Sequence, residues 1–322
     1  MFSKSFTPDD LPDLTGKVII VTGGNAGVGS AAVHHLARRG AKVYMAARNE
    51  QRAKTAIERL KVAGLSPGNG EVHWLPLDYS DPREVKKAAE DFMEKEQRLD
   101  VVVNSAALLL VPFQKSHDGI QDIVMVNYIG PFLFIRTLLP LLKRTAQSPN
   151  SDVRVVMLSS EGHAHAPMDA RFRNIDDLNV EYKESRFQDY LRYNLTKFMG
   201  MLYVKELQRR FDTEGVPIVV LGVHPGVVNT EGVQAYAHSV GPILSPIYTF
   251  IANTFFTSPS KGAYSTAFAA AAPIVRTQAE EYRGAYIVPP GKIGKASRRV
   301  EDRELAKELW DTTERTLADI GL

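Results

Sequence analysis

The chain contains no cysteine. That excludes disulfides, a thiol nucleophile and thiolate-held metal, and it suits a reducing compartment, so a cytoplasmic location is expected. Charge of one sign is lacking as well: 39 Lys and Arg stand against 37 Asp and Glu, interspersed along the chain. With a net charge of +2 and no basic stripe, no nucleic-acid partner is expected. The most apolar late stretch, SVGPILSPIYTFIANTFF (239–256), is broken by Pro242 and Pro246. It falls short of the roughly 20 unbroken apolar residues of a membrane helix, so no transmembrane span is expected. The opening MFSKSFTPDDLPDL is polar, carries two prolines and reads as neither signal peptide nor anchor. Repeats and low-complexity linkers are also missing. The 322 residues, 44% hydrophobic, therefore read as one large domain, 1–322.

What is present is an alternation. KVIIVTG (17–23), KVYMAA (42–47), VHWLPL (72–77), DVVVNSA (100–106), VRVVML (153–158) and PIVVLGV (217–223) are short apolar runs suited to buried strands. Between them lie helical patterns, two of them closed by Gly40 and Gly64, and a last short strand is expected at AYIVP (285–289). Nearly unbroken apolar strands alternating with helices predict an α/β fold, a doubly wound parallel sheet with a ligand crevice at the carboxyl ends of its strands. Two connections are too long for plain units, an insert at 161–189 and a segment at 230–282, and both are candidates for function.

TGGNAGVG (22–29) leaves the first strand and opens the first helix. Gly23, Gly27 and Gly29 permit a tight turn, a close approach to phosphate and close helix packing, and the helix N-terminus beyond offers free N–H groups. Asn25 and Val28 belong to the same turn. The second strand ends in Ala46, Ala47 and Arg48, where NAD-binding chains carry a carboxylate for the ribose 2′-hydroxyl. An arginine there suits a 2′-phosphate instead, so NADP(H) is expected ahead of NAD(H). YLRYNLTKF (190–198) places Tyr193 four residues and Tyr190 seven residues before Lys197. By spacing alone either a tuned acid or an amphipathic helix face fits. His163 and His165 form a His-x-His, but no further ligand stands at a telling spacing, so no metal is expected.

With the glycine turn, the stretches VVVNSAA (101–107), MVNYIGPF (125–132), VVMLSSEGH (155–163), YNLTK (193–197) and VHPGVVNT (223–230) follow one another in an order that resembles the short-chain dehydrogenases/reductases. SSEGH, DDLNVEY (176–182) and ELWDTTERTL (308–317) are similar to the retinol-dehydrogenase-like branch. The resemblance implies a Rossmann-type oxidoreductase with catalytic Ser160, Tyr193, Lys197 and Asn127, the lysine favouring the Tyr193 phenolate and Asn127 holding a relay water. It selects Ser160 over Ser159 by register and leaves Tyr190 to the pocket. It implies cofactor contacts at Asp78, Asn104, Ala106, Pro225, Gly226, Val228 and Thr230, besides Tyr193 and Lys197. Ala107 and Thr196 depart from the family's usual Gly and Ser. The expected substrate is an apolar carbonyl or alcohol, with 239–256 as its lid, and a homo-oligomer or peripheral membrane contact stays open for that segment.

Overall fold

The computed structural model describes residues 5–234 and 244–322. The strands are β1 Val18–Thr22, β2 Lys42–Ala47, β3 Glu71–Pro76, β4 Val101–Asn104, β5 Val153–Leu158, β6 Ile218–Val223, β7 Tyr286–Val288 and β8 Lys292–Gly294. They form one sheet in the order β3-β2-β1-β4-β5-β6-β7-β8. Every pair is parallel except the last, where β8 returns antiparallel to β7. The reversal of order between β1 and β4 is the switch point at which such sheets open a crevice.

The helices that matter for the site are α1 Gly27–Ala37, α2 Glu50–Ala63, α3 Pro82–Lys95, α4 Gly130–Ala146, α5 Gln188–Glu214, α6 Leu244–Phe255, α7 Tyr264–Ala271 and α8 Arg303–Asp319. All residues of β1, β4 and β6 are buried, as strands covered on both faces must be. One face packs into a core with Phe92, Phe132 and Leu202, and the other into a core with Val33, Ile57 and Ala267. Residues Asp122–Ala146 are long and apolar enough to span a membrane, yet most of that surface is spent inside the fold. The 161–189 insert forms a 3-10 turn at Glu161–His165 and a helical turn at Ile175–Leu178. Strand β8 was absent from the sequence expectation. With three residues, two of them exposed, it offers no apolar run to read.

Candidate active site

A cleft of about 950 Å³ lies at the carboxyl ends of β1, β4, β5 and β6. Its first wall is the glycine turn. Gly23 has φ +64°, and a Cβ there would meet Ala106 Cα at 2.9 Å, while a Cβ on Gly29 would stand 2.4 Å from the Gly23 carbonyl oxygen. Only bare backbone fits, which leaves room for a ligand against it. The N-terminus of α1 carries no side-chain cap and no acidic residue in its first turn. By contrast α2 is capped by Asn49 and α3 by Asp81. Helix α1 thus keeps its N–H groups for an anion, which suits a pyrophosphate.

Asn25, Val28, Arg48, Asp78 and Ala106 line this end, as expected, and so does Thr230. Arg48 is exposed and has no side-chain partner among the described residues. Asp78 Oδ1 accepts from the Ser80 N–H and hydroxyl at 2.9 and 2.8 Å, so it caps a turn while facing the cleft. Asn104 does not line the cleft. Its amide is turned into the core, accepting from the Tyr79 hydroxyl and donating to Met157 Sδ. A cofactor contact from that side chain is therefore corrected. The sequence reading also missed two groups here, Arg52 from α2 and Glu231 from the segment after β6.

The floor of the cleft holds Ser160, Tyr193 and Lys197, delivered by the end of β5 and by α5. Ser160 accepts from the Gly162 N–H at 3.1 Å and lies beside the Tyr193 phenol, which its hydroxyl favours in the ionised form. The Tyr193 ring keeps an edge open to the cleft, yet the protein around it removes most of its solvation. Burial pushes the phenol up to about 12, and the Ser160 hydroxyl only partly offsets this. Lys197 is buried, donates to the Leu158 carbonyl at 3.1 Å, and stands 5.5 Å from the Tyr193 ring centre. Burial brings its ammonium down to about 8. Desolvation is the largest influence on the phenol, and Tyr193 holds its proton at neutral pH.

Asn127 is close by but does not line the cleft. It sits in a π-helical turn, Met125–Ile129, that runs straight into α4. Both amide hydrogens are committed, to the Leu108 carbonyl at 2.9 Å and Thr196 Oγ1 at 3.0 Å, and its oxygen accepts from the Leu108 N–H at 2.7 Å. The side chain holds the 108 loop to α5. His163 is a strut. Its Nε2 accepts from the Ser297 N–H at 3.1 Å, so Nδ1 carries the hydrogen and donates to the Ser160 carbonyl at 2.6 Å.

Pro225, Gly226 and Val228 line the cleft beyond β6. Leu108, Leu110, Val126, Tyr190 and Phe256 give the cleft an apolar wall, beside which stand Gln114 and Asp122. Val240 and Ile243 of the expected lid lie outside the described residues. Within α6, Phe250 and Phe255 are exposed, at 66% and 73%, and among the described residues of this segment the cleft-lining aromatic is Phe256.

The arrangement can hold a dinucleotide along the glycine turn and place a protonated phenol, supported by a hydroxyl and an ammonium, at its far end. A family model described as short chain dehydrogenase matches residues 17–169. A short-chain dehydrogenase/reductase of Armillaria gallica is 42% identical over 98% of both chains. Another, from Colletotrichum higginsianum, is 40% identical over 97% of this chain and 77% of its own length. Among solved structures, an uncharacterized protein of Mycobacterium paratuberculosis superposes with a TM-score of 0.71 at 26% identity, covering 98% of both chains. Levodione reductase shares the fold with a TM-score of 0.65 at 17% identity, covering 86% of this chain and 97% of its own. A relative of this closeness over nearly the whole of both chains means that the chain belongs to the short-chain dehydrogenase/reductase family and is an oxidoreductase.

Proposed function

We propose that the chain is an NADP(H)-dependent oxidoreductase that moves hydride between the nicotinamide and the carbonyl or alcohol carbon of an apolar substrate. One observation carries this reading. Tyr193, Ser160 and Lys197 converge on the floor of a cleft that has an apolar wall and whose far end offers an Arg48 unpaired among the described residues. The glycine turn and the open N-terminus of α1 would hold the pyrophosphate, Arg48 the 2′-phosphate, Lys197 the nicotinamide ribose, and the 225–230 loop the nicotinamide. When bound, that group supplies or takes the hydride.

The rest belongs to the protein. Ser160 donates a hydrogen bond to the substrate oxygen and holds it beside the Tyr193 hydroxyl. In reduction, Tyr193 gives its proton to that oxygen, and in oxidation it removes one. The Lys197 ammonium stabilises the phenolate left behind. With a pKa of about 8, it is still mostly charged at neutral pH. The apolar wall excludes water and selects substrates without charge. Phe256, directly after α6, supports a lid function for this segment, and the SSEGH and DDLNVEY stretches support the retinol-dehydrogenase-like branch. A cytoplasmic location, with no nucleic-acid partner, goes with the same reading.

The test is cofactor consumption with NADPH and, separately, NADH against aldehydes, ketones and quinones of increasing apolar size. NADPH-driven turnover that improves with apolar size is the expected result. Faster turnover with NADH, or a preference for small charged carbonyls, would overturn it.

A further inference from the structure

At the adenosine end the cleft carries two cations, Arg48 and Arg52, and two anions, Asp78, which caps its own turn, and Glu231. Arg48 is free of partners among the described residues, and Arg52 follows it by four positions in the first turn of α2. Arg52 is not free. Its Nη2 donates to Glu231 Oε2 at 2.5 Å, across a sequence separation of 179 residues. Both side chains line the cleft, and both stay largely in solvent, 59% and 65% exposed. An ion pair so exposed is weakly held and easily exchanged. Glu231 also has a second reason to be there. Its neighbour Thr230 packs on the glycine turn, where a Cβ on Gly27 would meet Thr230 Cγ2 at 3.2 Å. Glu231 is therefore carried to the adenosine end by the packing of the 230 segment and not by Arg52 alone.

We propose that Arg52 is a second ligand for the cofactor's 2′-phosphate, and that the Glu231 carboxylate is the internal anion this phosphate displaces. The inference rests on the NADP(H) reading above and adds the residue pair that sets the strength of the preference. A guanidinium held by a singly charged carboxylate gains a more highly charged, three-oxygen partner, and Arg48 stands on the same helix end to share it. By competing for Arg52, Glu231 reduces affinity for the phosphorylated cofactor while leaving the unphosphorylated one almost unaffected. The pair tunes discrimination from within the chain.

Titrations of the full chain with NADPH and with NADH, followed by ligand fluorescence, test this without any substrate. Adenosine 2′-monophosphate serves as a competing probe. Glu231→Gln should tighten NADPH and adenosine 2′-monophosphate by about two- to fivefold, with NADH changed by less. Arg52→Gln should weaken NADPH by about tenfold or more, again sparing NADH. In the double variant the Glu231→Gln gain should vanish, because its target is gone. A wild type that binds NADPH better, with a Glu231→Gln variant that leaves NADPH affinity unchanged, would overturn this inference alone. Selective weakening of NADH in Glu231→Gln would overturn it too, by making Glu231 an acceptor for a ribose 2′-hydroxyl. A wild type that prefers NADH would instead remove the NADP(H) reading on which it stands.

Discussion

The two ends of the sheet treat polar groups in opposite ways. At the amino ends, Asp100 is buried and saturated: it accepts from Lys17 Nζ at 3.1 Å, from Arg98 Nε at 2.9 Å and from the Val18 N–H at 3.0 Å. Arg154 at the start of β5 is fully buried, held by Asp152 and by the carbonyls of Ala269 and Ala272. At the carboxyl ends, Ser159 Oγ and His224 Nδ1 are buried without a partner among the described residues, and Lys197 is a buried cation that donates to the Leu158 carbonyl. Saturated charges hold a structure together, whereas unsatisfied ones cost stability and persist where a ligand or a reaction uses them. The amino end is built for cohesion and the carboxyl end for chemistry.

That contrast can be broken at four points. Tyr193→Phe should cut turnover by about 10²–10⁴-fold, the usual worth of a general acid, with dinucleotide binding and melting temperature unchanged. Steady-state rates beside a cofactor titration would show it, and Tyr190→Phe should keep most activity. Asp100→Ala should do the reverse. It strands the buried Val18 N–H and removes the partner of the partly exposed Lys17 and Arg98, so chemical denaturation should report a loss of about 1–3 kcal/mol, with kcat of the folded fraction retained.

Lys197→Met should separate the two properties in a single variant: activity lost, stability gained. Its folded pKa of about 8 lies below the ordinary 10.5, so the unfolded chain binds more protons between these values. Stability contributed by this group therefore rises as pH climbs from about 8 to 10.5 and is penalised below. At pH 7 the substitution should gain about 1–3 kcal/mol by denaturant melts, and wild-type reductase activity should decline as pH passes about 8. The smallest effect belongs to the cleft's apolar wall. Phe256→Ala should raise KM a few-fold for bulky apolar carbonyls and spare short aldehydes, and no difference between the two classes would speak against a substrate-facing role.

The same contrast explains what could be read in advance. Strands such as VIIVT and IVVLGV are buried on both faces, so composition alone marks them. Tyr193, Lys197 and the glycine turn are legible because one helix or one turn sets their spacing. Arg52 and Glu231 were not, since no local pattern joins residues 179 positions apart. The π turn at Met125–Ile129 and the commitment of Asn127 to Leu108 and Thr196 escaped for a related reason. An asparagine's type says nothing of which carbonyl will claim its amide. Nor did spacing reveal that burial would raise the Tyr193 phenol.

The His163 strut has a consequence in time. Ser160 is joined through that imidazole to the amide of residue 297, so a growing chain makes its catalytic serine long before it makes the group that braces it. The glycine turn, by contrast, is closed by Ala106 at Gly23 and by Thr230 at Gly27, both made before residue 297. Assembly should therefore be staged, with nucleotide recognition maturing ahead of turnover. Refolding from denaturant, sampled in parallel for dinucleotide binding and for activity, should show binding return first. Simultaneous recovery would mean that the brace is in place as early as the turn.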